Sequence, residues 1–287
     1  MILIFGILII FVRFFFRRKK LHLKGKKIII FGGTKGLGLA LAHLLKKMGA
    51  YVTITSRTSN DLLYLKNKYG FSIYKIDVTN IGSFKFLTHD FDYIFVCCGI
   101  CIPGYFADQN ISVYRKTMEV NYFGTLNVLK YFQNYQTSPF HFIIISSSLS
   151  LWSCPGYASY SPTKAALKSF FDTVHWELEK SNIKLYIYFV STINSPGLEN
   201  ENITKPSFTK FIDRFSYGEN NKPEKRAKKL LEDMAYDRRI VSDFGTNLLK
   251  IRPDVTSIQD ILLLPISMLI YPFWAIYVKC IFYKFEN

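Results

Sequence analysis

Cysteine is scarce in this chain, and the five present are badly placed for a structural framework. Three crowd into VCCGIC, Val96 to Cys101, which excludes both a disulfide scaffold and a four-thiolate zinc site. Cys97 and Cys98 end an apolar run that reads as a buried strand, where small apolar side chains fit. Cys98 and Cys101 have C-x-x-C spacing, but a redox role is not expected of them. The histidines, His22, His43, His89, His141 and His175, show no metal-ligand spacing, so no metal site is expected. Acidic residues are also few: 21 Asp and Glu against 37 Lys and Arg leave a net charge of +16. The excess is spread along the chain and accompanies no nucleic-acid motif, so no nucleic-acid partner is expected. No internal repeat or low-complexity linker divides the sequence.

Apolar residues, by contrast, are abundant. They make up 49% of 287 residues, more than one soluble core requires. Part of the excess lies in MILIFGILIIFVRFFF, Met1 to Phe16, followed at once by RRKK, Arg17 to Lys20. Such a run is a short helix for a bilayer, with Arg13 able to reach the basic side. A cleaved signal would carry charge before the run and small residues after it, and neither occurs. Residues 1–24 are therefore expected to be a membrane anchor. Its basic flank, extended by Lys24, Lys26 and Lys27, should stay on the cytosolic side.

A second run, Ile261 to Val278, is just long enough to cross but contains Pro265 and Pro272. A kinked span, a re-entrant hairpin and a buried core helix are all open for it. Residues 256–287 are assigned as a C-terminal membrane segment, with Tyr271, Trp274 and Tyr277 suited to an interface. The most basic stretch, KPEKRAKKLLEDMAYDRR, reads as an amphipathic helix burying Ala227, Leu230, Leu231 and Met234. Its basic face is expected to be solvated or to lie near anionic headgroups.

Between these ends, short β-branched and aromatic runs alternate with helical patterns: KIIIF, LALAHLLKKMG, YVTIT, a helix from Asn60, SIYKIDV, another helix, and YIFVC. A long helical region from about Val113 to Tyr135 follows, then HFIIIS, a helix and KLYIYFV. The alternation predicts an α/β fold, a Rossmann-like, doubly wound parallel sheet forming a single domain over residues 25–255. Ligands of such sheets bind at the carboxyl ends of the strands. There the first strand runs into FGGTKGLG, where Gly32, Gly36 and Gly38 allow a tight turn and close approach to a pyrophosphate. About twenty residues on, where an NAD site carries a carboxylate, stand Ser56 and Arg57, with no acidic residue until Asp61. Lys35 adds positive charge within the loop, so the expected cofactor is NADPH.

The stretch GYASYSPTKAALKSFF, Gly156 to Phe171, holds Tyr160 and Lys164 one helical turn apart. Pro162 fits only a first turn, which predicts a helix starting near Ser159 as N-cap. The same spacing recurs at Tyr64 and Lys68, so spacing alone decides nothing.

With Asn121 in NYFG, Ser147 in SSS and Gly99 in VCCG, these elements resemble the short-chain dehydrogenase/reductase family. The resemblance covers the whole domain. It implies that Asn121, Ser147, Tyr160 and Lys164 are catalytic. Tyr160 would donate a proton to a carbonyl oxygen, with its acidity raised by Lys164. Ser147 would hydrogen-bond that oxygen, and Asn121 would anchor a water. The implied cofactor contacts are Gly32, Thr34, Lys35, Gly36, Gly38, Arg57, Asp77, Gly99 and Ser195, together with Tyr160 and Lys164. Homo-oligomers formed through the Tyr160 helix are also implied. Four positions depart from the family pattern: Phe31 replaces a threonine, Val96 an asparagine, and Val190 and Ser191 a proline-glycine pair.

A narrower resemblance lies in SPGLENENITKP, Ser195 to Pro206, which is similar to a segment of the 3-ketodihydrosphingosine reductases. This implies a long-chain keto-base lipid substrate and the endoplasmic reticulum membrane, with the catalytic domain facing the cytosol. The segment Glu201 to Pro206 is then expected to bear on substrate choice. Other membrane-bound members acting on 3-ketoacyl, retinoid or steroid ketones remain the alternative, as does a catalytically silent NADPH-binding scaffold.

Overall fold

The computed structural model describes residues 21–88, 90–214 and 221–286. The apolar run Met1 to Phe16 and the basic residues Arg17 to Lys20 lie outside them.

Strand β1 (Lys27–Phe31) shows why the centre is a sheet. Its Ile28 and Ile30 enter one core and Ile29 and Phe31 another, and all four are fully buried. Alternate side chains of a strand leave opposite faces, so an unbroken apolar run requires cover on both. The turn after β1 leads into α1 (Gly36–Lys47), then β2 (Tyr51–Ser56), α2 (Ser59–Tyr69) and β3 (Ser72–Lys75). Gly70, with φ of 64°, closes α2 in the left-handed conformation. After β4 (Tyr93–Val96) come α3 (Ile111–Met118), a π-helical turn at Glu119–Phe123, and α4 (Gly124–Tyr135). The remaining elements are β5 (Phe140–Ser147), α5 (Ser161–Glu177), β6 (Ile183–Val190), α6 (Pro196–Thr204), α7 (Ser207–Asp213), α8 (Pro223–Asp233), β7 (Arg239–Val241), α9 (Phe244–Ile251) and α10 (Ile258–Glu286).

All seven strands are parallel, in the order β3-β2-β1-β4-β5-β6-β7. The fold is thus the expected Rossmann-like one. The order reverses between β1 and β4, which opens a crevice at their carboxyl ends. Helices α1, α2 and α8 supply Leu41, Leu62 and Leu230 to the core on one face. Helices α4 and α5 supply Phe132 and Phe171 to the other.

Three local expectations need correction, and one open alternative is narrowed. The helix expected between β3 and β4 is a 3-10 turn, Ile81–Phe84, capped by Asn80, because Phe84, Leu87 and Phe91 are each pulled into the core and pin the segment short. The basic helix ends at Asp233, and its last arginine opens β7, an edge strand not anticipated from the sequence. The basic face of that helix is not wholly solvated either: Arg226 is buried. The apolar C-terminal run is one helix of 29 residues that passes through both prolines, which excludes the hairpin. Over Gln259–Phe285 this helix is long and apolar enough to cross a membrane, and only 11% of that stretch is buried, which also excludes a core helix.

One edge of α10 nevertheless packs on the domain. Ser267 donates to Leu248 O at 2.6 Å, the Arg252 guanidinium lies 3.4 Å from the Tyr271 ring centre, and Trp274 meets Trp152. Val278 joins Cys154, Tyr157, Phe208 and Ile212 in a third small core.

Candidate active site

The turn between β1 and α1 carries the glycines. Gly32 and Gly36 have φ of 79° and 53°, in the left-handed region where a side chain is strained. A Cβ on Gly32 would lie 2.7 Å from Cys98 N, and one on Gly38 only 2.2 Å from Gly32 O. The loop is therefore wound against itself and against the end of β4. Lys35 takes the N-cap position of α1 with no side-chain cap, and the first turn contains no acid. The unpaired amides of such a turn, with the helix dipole, favour an anion such as a pyrophosphate. Thr34 is half-buried within the turn. The donor set fits the phosphates of a dinucleotide.

At the neighbouring strand ends, Arg57 is exposed just after β2, and Asp77 follows β3, where it accepts from Thr79 N and Oγ1. Both charges act on the Cys98 thiol, which burial first of all pushes up to about 11. The sequence did not anticipate that Asp61 returns to face Lys35, at 3.2 Å. Both members of that pair are exposed, and such pairs contribute little.

Helix α5 begins at Ser161, not at Ser159. The Ser159 hydroxyl is spent on Ile102 O at 2.9 Å, and Tyr160 occupies the N-cap position without a side-chain cap. Tyr160 consequently stands at the mouth of the helix, and Ser147 at the end of β5 is near enough to act on its phenol. Period-two alternation separates Ser147 from its neighbour: Ser146 turns away and donates to Lys164 O. Ser147, Tyr160 and Ser195 line one cavity of about 690 Å³.

Lys164 lies behind the tyrosine, buried, with Nζ donating to Ile145 O at 2.9 Å and 5.7 Å from the Tyr160 ring centre. Burial lowers its ammonium to about 8, opposed by Cys98, Cys101 and Cys97. The phenol of Tyr160 is held well above its usual range, by burial first and then by Cys101 and Glu201, against the Ser147 hydrogen bond. The acidifying effect expected of Lys164 is not what sets this phenol: burial, Cys101 and Glu201 do. What results is a phenol that stays protonated at neutral pH.

Asn121 sits in the π-helical turn, fully buried. Its Oδ1 accepts from Ile100 N at 2.8 Å, while Nδ2 donates to Ile100 O and Thr163 Oγ1. The side chain therefore ties the loop after β4 to α5. A Cβ on Gly99 would lie 3.2 Å from Asn121 Oδ1 and 3.7 Å from Lys164 Nζ, so a side chain here would press on the Asn121 amide.

The departures from the family pattern have local explanations. Val96 is a buried strand residue paired with Phe31 and Ile144. Ser191 joins a polar knot: it donates to Asp243 Oδ2 at 2.6 Å and accepts from Arg226 Nη2, and Arg226 Nη1 lies 3.0 Å from Asp243. This knot fixes the chain leaving β6 where a proline-glycine pair is absent. Ser195 caps α6 through Leu198 N, and its Cβ would be 3.3 Å from a Cβ on Gly36.

The short chain dehydrogenase family model matches residues 26–205. The chain belongs to this family. It is an oxidoreductase by that membership. The 3-ketodihydrosphingosine reductase of Dictyostelium discoideum is 30% identical, over 86% of this chain and 85% of that protein. A short chain dehydrogenase from Burkholderia cenocepacia, solved in complex with NADP, superimposes with a TM-score of 0.68 at 20% identity, covering 85% of this chain and 98% of its own. One from Burkholderia phymatum, solved with NAD, gives 0.69 at 17% identity, covering 83% and 100%. At those identities the solved structures establish the fold alone.

Proposed function

We propose that the chain reduces 3-ketosphinganine (3-ketodihydrosphingosine) to sphinganine with NADPH. The observation that carries this reading is the make-up of the cavity: Tyr160 and Ser147 line it together with Ile270, Tyr271 and Trp274 of α10, a helix long and apolar enough to cross a membrane. A ketone with a long aliphatic chain needs both a polar reaction centre and an apolar path to it.

A bound reduced nicotinamide supplies the hydride. Tyr160 donates its proton to the carbonyl oxygen, which Ser147 holds by a hydrogen bond. Lys164 holds the nicotinamide ribose and restores charge beside the phenol, and Asn121 keeps the loop around Gly99 in register. Its remaining Oδ1 lone pair suits the water that resupplies the proton. The turn from Gly32 through Thr34, Lys35 and Gly36 to Gly38 takes the pyrophosphate. Asp77 takes the adenine, and Ser195 the carboxamide.

Residues 25–255 are read as the catalytic domain, and residues 1–24 and 256–287 as its membrane segments. The assembly is placed on the cytosolic face of the endoplasmic reticulum. Incubation of the purified full chain with NADPH and a panel of long-chain ketones tests the proposal. Turnover of 3-ketosphinganine is expected, and its absence beside good turnover of a steroid or ketoacyl substrate rejects it.

Selectivity for NADPH is assigned to Arg57 and Lys35, whose charges suit a 2′-phosphate. Arg57→Glu is expected to raise KM for NADPH by at least tenfold while changing KM for NADH much less. Equal changes for the two cofactors would remove Arg57 from this role.

A further inference from the structure

We propose that Glu201 recognises the ammonium group of an amino-ketone substrate, so that the enzyme selects a free amine beside the carbonyl it reduces. The inference rests on the reductase reading above and gives one residue of the segment Glu201 to Pro206, expected to bear on substrate choice, a specific chemical role.

Glu201 lies on α6 and lines the same cavity as Tyr160 and Ser147. Among the described residues, its surroundings hold one positive charge for two negative ones. The fully buried ammonium of Lys205 lies 2.5 Å from Asp213 Oδ2 but 3.8 Å from Glu201 Oε2. Asp213 is further secured by the Tyr157 hydroxyl, which donates to it at 2.8 Å. The short pair thus belongs to Lys205 and Asp213, and Glu201 keeps the long one. The other groups facing it, Cys101 and Tyr160, are neutral acids whose protons burial retains.

A buried carboxylate with incomplete compensation is costly unless a cation arrives. Burial, opposed by Lys205, accordingly moves Glu201 up to about 7, so a cationic ligand is what restores its full charge. Two other carboxylates with a buried basic partner line this cavity: Asp213 is held by Lys205 and Tyr157, and Asp243 is matched by Arg226 and two serines. Glu201 is the cavity acid with capacity left for a ligand. In 3-ketosphinganine the amine is borne on the carbon next to the ketone. Once the carbonyl oxygen lies against Tyr160 and Ser147, that ammonium falls in the part of the cavity that Glu201 faces.

The test compares 3-ketosphinganine with its des-amino analogue, the hydroxy ketone of equal chain length, using the full chain and NADPH. For Glu201→Gln, KM for the amino ketone is expected to rise about tenfold to a hundredfold, the range of a charged hydrogen bond. KM for the analogue, kcat and NADPH affinity should stay within about twofold of the original. A rise shared by both substrates, or no rise, overturns the assignment. Should Glu201→Gln fail to fold, Glu201→Asp serves the same comparison: a smaller rise confined to the amino ketone supports the role, and a shared rise rejects it. The underlying reductase reading fails differently, through wild-type protein that reduces the analogue or other ketones but not 3-ketosphinganine.

Discussion

Tyr160→Phe is expected to lower kcat for ketone reduction by about two to four orders of magnitude, the usual contribution of a positioned acid, while NADPH affinity changes little. The substitution removes one oxygen and keeps the ring, whose packing against Tyr157 at 6.2 Å between centres is untouched. Ser147 would remain held by Leu149 N at 3.1 Å. Because burial, Cys101 and Glu201 keep the phenol protonated, the variant removes a proton donor and not a charge. The fall should therefore appear in kcat, with KM for the ketone nearly constant.

Tyr64→Phe is the matched control. Lys68 donates to the Tyr64 hydroxyl at 2.7 Å on α2, so that pair reproduces the spacing and even the contact, yet it is exposed on the surface. Its loss should leave the rate unchanged. Single-turnover measurement of NADPH oxidation on both variants separates the cases, and an undiminished rate for Tyr160→Phe would withdraw the mechanism.

The contrast between these two tyrosines shows which features were legible in the sequence. Features that depend on neighbours within one or two turns could be read directly: the glycine loop between β1 and α1, the apolar alternation of β1, and the turn-separated pair on α5. Features that depend on partners far along the chain could not. Arg226 looks like one more solvated cation on a basic helix, because its partner Asp243 lies beyond a strand of only three residues with charged flanks. Glu201 looks like part of a polar lid until Lys205 is found turned towards Asp213. Pro265 and Pro272 suggested a break, since proline removes a backbone donor. Contacts through Ser267, Tyr271 and Trp274 hold α10 continuous against the domain instead. That docking is what turns an apparent anchor into a wall of the cavity.

Gly38→Ala should be the most damaging of the small substitutions, because the atom it adds meets backbone and not a movable side chain. Its Cβ would lie 2.2 Å from Gly32 O and 3.1 Å from Gly33 Cα. Relief requires either moving the first turn of α1 away from β1 or unwinding the loop, and each displaces the amides that face a pyrophosphate. Gly32 cannot yield in compensation, since it is held against Thr55 O by its own N–H at 3.1 Å and has no clearance from Cys98. NADPH affinity is expected to fall at least tenfold, read by the change in nicotinamide fluorescence on titration.

Gly25→Ala separates strain from cradle damage. Gly25 has φ of 78° but nothing within 4 Å of its added Cβ. Left-handed strain of about 1–2 kcal/mol should lower Tm by a few degrees and leave NADPH affinity intact. If Gly38→Ala lowers Tm yet binds NADPH as tightly as Gly25→Ala does, the loop before α1 is not where the dinucleotide's phosphates rest.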